Sequence, residues 1–530
     1  MYYIKNYNME RKIMMNKKKK IFAIIMMIAI VMVFGVGCGN DAKDGDDAKT
    51  LVLGSLTDFK KGSGEEGQSL IFETLTTPAK DMSIKPGLIE SWDINGDQSE
   101  YTLHIRKGVK FSDGTPLTAD IVKYSLKAWG PYRDGGYIYA VKSYKMKDDN
   151  TLVVKFNGSY GNFLIEMSRI FCSLKDSLDD KGNVKEYKGT GPFVLDKYEQ
   201  DQSAELKVNK DYWNKDKKPS VETVKWKVIP DENSRIQAVQ SGEVDAVGVT
   251  EHYCSLPYST VSDIKEKGDL NVDVHAGAGL IETYMYNYTK GLMKDINLRK
   301  AVTKCIDREK MADKIAYGLA QASGYFMSPD YKYNARNEKP YKYDPDGAKK
   351  ILADAGYKDT DKDGIMEKNG KPVKLKVVVG SDESSRSTAV YAQQCLKKIG
   401  IDSTLEALDS SARDKKAASG DFDIAYTHPW LKTPQTYMTW RCNNSDYDDF
   451  GTCFGVNKKF PGYIKAMNKA TSEKKLDQIF DNVWADIYSF YPGTPLYSTP
   501  KVFIYSDKVS GFKCDPDETL IDLSEVEIKK

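Results

Sequence analysis

The chain has 530 residues, with 78 Lys and Arg against 76 Asp and Glu, 40% apolar and 11% aromatic side chains, a balance that excludes intrinsic disorder, collagen-like repeats and a multi-span membrane protein. At about 150 residues per domain the length allows two to four domains, each able to bury its own core. The net charge of +2 comes from residues 1–37, which hold seven bases and one acid; without them 71 bases face 75 acids, and a mildly acidic body argues against nucleic acid as a partner.

The first segment reads as an export signal. Lys17 to Lys20 precede fourteen uncharged, almost wholly apolar residues, Ile21 to Phe34, and then Gly35-Val36-Gly37-Cys38, which is the order of n-region, h-region and small-residue cleavage site. The apolar run falls short of the about 20 residues that cross a bilayer, so cleavage is expected over a membrane-spanning anchor. Gly-Val-Gly-Cys resembles a bacterial lipobox, with Cys38 as the lipidated first residue of the mature chain and Gly35 departing from the usual Leu. Residues 1–37 are thus expected to be a signal peptide, and residues 1–14 read as untranslated because Met15-Asn16 already opens a complete signal. Residues 38–50, with Asp41, Asp44, Asp46 and Asp47 and no large apolar side chain, read as a lipidated tether.

From residue 51 the chain alternates strand-like and helix-like segments. Gly62-Ser-Gly-Glu-Glu-Gly67 is spaced like a phosphate loop, but Gln68 stands where the lysine must be, which removes the nucleotide reading. A helix holding Leu70, Ile71, Phe72 and Leu75 is expected to follow it. Tyr101 to Arg106 and Thr151 to Phe156 alternate, so residues 88–187 read as an inserted α+β subdomain. Asp295 opens a helix carrying Leu298, Ala301, Val302, Cys305 and Ile306, and Asp344-Pro345 opens another that carries Ala348, Ile351, Leu352 and Ala355 and closes at Gly356.

Asp359, Asp361, Asp363 and Gly364 copy the first half of an EF-hand loop, but Gly370 holds the twelfth place, where calcium needs a bidentate Glu; a polar hairpin turn before Lys374 fits better. Leu375 to Val379, then Ala389, Ala392, Cys395, Leu396 and Ile399 at helical spacing, then Ser403 to Leu408 form a βαβ unit and imply a parallel strand pair. No H-E-x-x-H, G-x-S-x-G or G-x-G-x-x-G at a strand–helix junction is present, so no enzyme is expected. Seven cysteines besides Cys38 include no C-x-x-C pair; Cys305 and Cys395 read as buried hydrophobes, and Cys442 and Cys453 bracket a polar segment that a disulfide could close outside the cell. His104, His252 and His275 read as surface or satisfied core residues.

Several motifs then recur in one order: Lys85-Pro-Gly-Leu-Ile-Glu-Ser-Trp92, Tyr101 to Asp120, Gly189-Thr-Gly-Pro-Phe193, Asn209 to Trp213, Ile229-Pro-Asp231, Gly242-Glu-Val-Asp245 and Asn297 to Arg308. Together they closely resemble the signature of the extracellular solute-binding proteins that feed peptide and nickel ABC importers, across essentially the whole mature chain. The resemblance implies an α/β fold: a two-lobed periplasmic-binding-protein-like clamp of cluster C type, with the inserted subdomain in its first lobe. It puts lobe I at 51–278, lobe II at 279–495 and a return to lobe I at 496–530, with crossings near Gly279 to Tyr286 and near Gly493 to Val502. It further implies a monomer on the extracytoplasmic face of the membrane, held there by its lipid, with an ABC permease and ATPase as partners and no required cofactor.

For the ligand, the strand Phe422 to Tyr426 running into Thr427-His428-Pro429-Trp430 is the leading position, because ligands gather at strand C-termini in α/β lobes. Here the chain is similar to the nickel-receptor branch, in which a tryptophan at the place of Trp430 packs on a metal chelate and an arginine at the place of Arg169 pairs its carboxylates. A planar guanidinium suits that bidentate pairing. Trp129, Tyr132 and Arg133 fall near another Arg/Trp pair of that branch. Tyr437, Trp440 and Arg441 are candidates for the far wall, although Pro434 stands where the nickel receptors have a tyrosine. No histidine follows Arg441, so a bound metal would take His428 or depend on its chelator. The expected cargo is a nickel or related transition-metal chelate. The alternative is a di- or oligopeptide, for whose ammonium group Asp446, Asp448 and Asp449 are candidates; a non-transport lipoprotein sensor or adhesin of the same fold ranks below both, and an exported hydrolase last.

Overall fold

The computed structural model describes residues 49–60, 65–79, 81, 83–132, 137–175, 177–179, 182–250, 256–275, 281–328, 331–427, 459–470, 472–514 and 520–529. Strand β1 (Thr50–Ser55) buries Leu51 and Leu53. The chain then leaves for an antiparallel sheet of β2 (Ile89–Ile94), β3 (Glu100–Ile105), β4 (Val141–Asp148) and β5 (Thr151–Phe156), ordered β2-β3-β5-β4, with helix α1 (Ala119–Trp129) packed on β4 and β5. This is the inserted α+β subdomain.

The chain returns through β6 (Phe193–Glu199), β7 (Ser203–Val208), β8 (Thr223–Val228), α2 (Glu232–Gln240), β9 (Ala246–Val247), α3 (Tyr258–Lys267) and β10 (Asn271–His275). A second lobe begins with β11 (Ile281–Tyr286) and continues through α4 (Ile296–Cys305), α5 (Arg308–Lys314), α6 (Pro345–Asp354), β12 (Lys374–Gly380), α7 (Glu383–Lys398), β13 (Asp402–Leu408), α8 (Ser410–Ser419) and β14 (Ile424–Thr427). Helices α9 (Phe460–Lys469) and α10 (Glu473–Phe490) lead to β15 (Gly493–Ser498), and β16 (Lys501–Tyr505) carries the chain back. Strand β15 stays with the second lobe through Ser498, three residues past the boundary read from the sequence.

The first lobe's sheet runs β10-β16-β9-β1-β8-β7-β6 and the second's β13-β12-β14-β11-β15. As the βαβ pattern implied, β12 and β13 are parallel, in register from Lys374 opposite Asp402 to Gly380 opposite Leu408. Helix α7 packs Ala389 and Ala392 with Val377 and Val379, whereas α8 puts Ala417 with Val378, on the other face of the sheet. The β-branched alternation of β12 therefore serves two layers. Among the described residues no helix is long and apolar enough to cross a membrane.

Several motifs have local physical reasons. Arg299, in α4, is 5% exposed and donates to the carbonyls of Met293, Lys294, Phe490 and Tyr491 at 2.7–3.1 Å, closing the C-terminal end of α10. Arg308 donates to Pro495 O at 2.6 Å and Thr303 O at 3.1 Å, tying α4 to β15. Tyr212 and Trp213 donate to the two oxygens of Glu73, at 2.9 and 2.7 Å, and burial pushes that carboxyl up.

The helix expected over Leu70 to Leu75 is absent: a short turn of helix ends at Ser69, and the chain continues as irregular backbone. Leu70 and Ile71 spend their carbonyls on Phe193 N and Gly191 N, at 3.0 and 2.8 Å. All four apolar residues are buried all the same, so their spacing reported burial and not helical period. Cys305 and Cys395 are buried and free, as expected.

Candidate functional site

The carboxyl ends of β12, β13 and β14 point the same way, with α7 and α8 departing to opposite faces, which makes this end of the sheet a topological switch point. Gly380, Leu408 and Tyr426 stand at those ends, and together with Leu56 after β1 and Pro230 after β8 they line a cavity of about 720 Å³ between the two lobes. Glu282 and Thr499, on the two chain crossings, line it as well.

Two helices begin on its rim for a sequence reason. Asp231 accepts from Ser234 N at 2.8 Å and opens α2, and Asp382 accepts from Ser385 N at 2.8 Å and opens α7. Each is followed by a glutamate in the first turn, Glu232 and Glu383, where the helix dipole favours negative charge. Facing each other from the two lobes, they also repel: burial and then the Glu383 charge push the Glu232 carboxyl up. Among the described residues the lining thus holds five carboxylates, Asp231, Glu232, Glu282, Asp382 and Glu383, against three bases, Arg235, Lys314 and Arg413. Arg235 donates to the carbonyls of Ile229 and Pro230, both at 3.0 Å, and Lys314 lies 3.0 Å from Asp313.

Tyr426 is 4% exposed and meets Tyr284 at a ring separation of 5.7 Å; its hydroxyl is 3.3 Å from that of Tyr497, which is 3.0 Å from Thr388 Oγ1. Burial, and then the Glu282 charge, push the Tyr426 hydroxyl well above its ordinary range. These tyrosines form a stiff, neutral wall.

The remaining candidates fall in different places. Arg169 follows the short helix Phe163–Met167, its N–H donating to Glu166 O at 3.1 Å; it is partly exposed and does not line this cavity. Trp129, expected at the cleft, is a core residue. It is 2% exposed, its Nε1 donates to Ser173 Oγ at 2.9 Å, and its ring meets Phe171 and Phe72 edge-on. The spacing Val122, Leu126, Trp129 places it on the inward stripe of α1. The backbone of Tyr132 ends a 3₁₀ turn, Gly130–Tyr132, while its side chain lies outside the described residues, as do Cys38, Arg133, His428, Trp430, Tyr437, Trp440, Arg441, Cys442 and Cys453.

Asp359, Asp361, Asp363 and Glu367 bring carboxylate oxygens within 4.8 Å of one another. Asp361 and Asp363 accept from Asp363 N and Ile365 N, Asp359 from Gly364 N, and Glu367 from both the N–H and the hydroxyl of Thr360. They shape a tight turn ahead of a two-stranded hairpin.

Sequence reasoning passed over Glu282, although a signal existed. In Ile281-Glu-Thr-Tyr-Met-Tyr286 it is the one charge in a strand whose six residues are all buried.

The family model for bacterial extracellular solute-binding proteins, family 5 (middle), matches residues 83–449. The oligopeptide-binding protein AppA of Bacillus subtilis is 25% identical over 548 residues, covering 96% of this chain and 99% of that protein. The nickel-binding periplasmic protein of Escherichia coli is 27% identical over 379 residues, covering 68% and 70%. In fold, NikA from Brucella suis in complex with Fe(III)-EDTA aligns with a TM-score of 0.82 at 22% identity, covering 91% of this chain and all of that one. AppA from Bacillus subtilis with a nonapeptide aligns at 0.72 and 24%, covering 91% and 99%. The chain is a member of the family 5 bacterial extracellular solute-binding proteins, the non-enzymatic ligand-capturing components of ABC importers.

Proposed function

We propose that the cargo carried to the permease is a short peptide, taken into the cleft between the two lobes. The observation that carries this reading is the charge of the cavity: among the described residues, five carboxylates line it against three bases. A chelate that exposes carboxylates would meet repulsion there, whereas a peptide brings an ammonium group and backbone N–H donors. Closure of the lobes on the ligand is a hinge motion whose populations the ligand shifts. Tethering of the receptor through a lipidated Cys38 is supported by the order of charged, apolar and small residues before it.

A second reading, a nickel or related transition-metal chelate, is favoured by the 27% identity to the nickel-binding periplasmic protein and by the Arg169 and Trp430 pattern in the sequence. Intrinsic tryptophan fluorescence separates the two. Titration of the purified mature protein with a mixed peptide pool is expected to give a saturable change, with nickel plus histidine and nickel alone giving none. A saturable response to the chelate with none to peptides would overturn the peptide reading.

A further inference from the structure

We infer that Tyr317 selects among side chains in this cleft: its ring is an apolar wall against which a peptide's aromatic or large aliphatic side chain packs. The inference rests on the peptide reading above and names the class of peptide. Three observations at one position lead to it. Tyr317 lines the cavity and is 50% exposed. Among the described residues, the other large apolar side chains that stand this far out lie away from this cavity. An uncovered ring in a ligand cleft has a driving force to be covered, because apolar area removed from water stabilises in proportion to its size.

The second observation is the backbone beneath the ring. Tyr317 has a φ of 51°, in the left-handed region that glycine or asparagine occupies at least cost. Among the described residues, no other non-glycine residue with positive φ lines the cavity. The turn follows α5 and is fixed on both sides. Ala316 and Leu319 are buried, Gly318 N–H donates to Ala312 O at 3.0 Å, and Leu319 N–H donates to Ala316 O at 2.8 Å. A bulky ring thus stands outward on a rigid turn whose backbone disfavours it. Such strain persists where a side chain serves a ligand.

The third is the surrounding lining. Ile315 from the same turn, and Leu56, Pro230 and Pro257 from the first lobe, line the cavity without being fully buried. The cavity therefore has an apolar portion beside its carboxylates, drawn from both lobes. A ligand side chain covering that portion touches both lobes, and its burial favours the closed clamp. Tyrosine suits the task, since its two side-chain torsions leave little freedom to lose on contact.

The test uses the purified mature protein, Tyr317→Asn and Tyr317→Phe, with a randomised pool of tri- to pentapeptides, the protein-bound fraction being sequenced and quantified by mass spectrometry. Wild type is expected to enrich peptides that carry Phe, Tyr, Trp, Leu or Ile. Tyr317→Asn is expected to lose about 10- to 30-fold of that enrichment while melting no lower than wild type, because asparagine suits the left-handed backbone. Tyr317→Phe, which keeps the ring, retains the enrichment. Enrichment kept in Tyr317→Asn, or lost equally in Tyr317→Phe, would overturn the role of the ring while leaving peptide binding intact. Melting of Tyr317→Asn well below wild type would show the ring to be a packing residue and overturn the inference as well. Wild type binding peptides without apolar bias would overturn side-chain selection, and wild type binding none would overturn the peptide reading itself.

Discussion

Thr499 Oγ1 donates to Glu282 Oε1 at 2.8 Å, and through this bond the two neighbouring segments that pass between the lobes hold one another beside the cleft. Both partners are buried, at 5% exposure each. A hydrogen bond to a charged acceptor contributes about 1.5–3 kcal/mol. Thr499→Val, which keeps the shape and removes the donor, is therefore expected to lower the calorimetric unfolding temperature, with Thr499→Ser close to wild type. Equal losses in the two variants would show that packing of the methyl group, and not the hydroxyl, holds the crossing.

Arg299 is a second test, because its guanidinium satisfies carbonyls from two separate segments, Met293 and Lys294 on one side and Phe490 and Tyr491 on the other. A lysine has one nitrogen and cannot span both. Arg299→Lys leaves buried carbonyls at the end of α10 without donors and is expected to cost about 2–4 kcal/mol, read as a shift of the denaturant midpoint. An unchanged midpoint would mean that water replaces the guanidinium.

The Gly-Thr-Gly-Pro-Phe segment gives a third. A Cβ on Gly189 would lie 1.9 Å from Ile71 O, and one on Gly191 2.6 Å from the same oxygen. Both contacts are with backbone, which cannot swing aside as a side chain tip does. Gly189→Ala is expected to destabilise by about 3 kcal/mol or more and to lower the yield of soluble protein, and Gly191→Ala to do so less severely. Native yield and melting for Gly189→Ala would show that the 70–72 segment can move.

His275 supplies a pH dependence. On β10, beside Phe503, its imidazole is held below the ordinary value of 6.5 by burial, with Asp273 pulling the other way. The unfolded chain therefore takes up this proton before the folded one does. The contribution is fully present above about pH 6.5 and is lost as pH falls from there through the lower folded value. Melting of wild type is expected to drop more steeply between pH 6.5 and 5 than melting of His275→Gln; parallel curves would show that this histidine does not titrate differently on folding.

Much of this protein is set by local patterning. The βαβ unit at 374–408, the helices opened by Asp295 and Asp344, and the burial of Cys305 and Cys395 follow from period and capping, which act between residues a few positions apart. The helix expected over Leu70 to Leu75 failed because the carbonyls of Leu70 and Ile71 are claimed by Phe193 and Gly191, more than a hundred residues away. Trp129 failed as a cleft residue for a related reason: an aromatic at the end of an amphipathic helix reads alike whether its stripe faces a ligand or a core.

The amino-acid sequence alone determined the family and the α/β character, because each is written in contiguous motifs and short-range periods. Which side chains share the cleft was decided only by the tertiary structure. Glu282, Thr499, Asp231 and Asp382 come from four distant stretches, and they meet because the strands of both lobes end at one gap. Charge at such a site is a sum over segments that no local reading adds together.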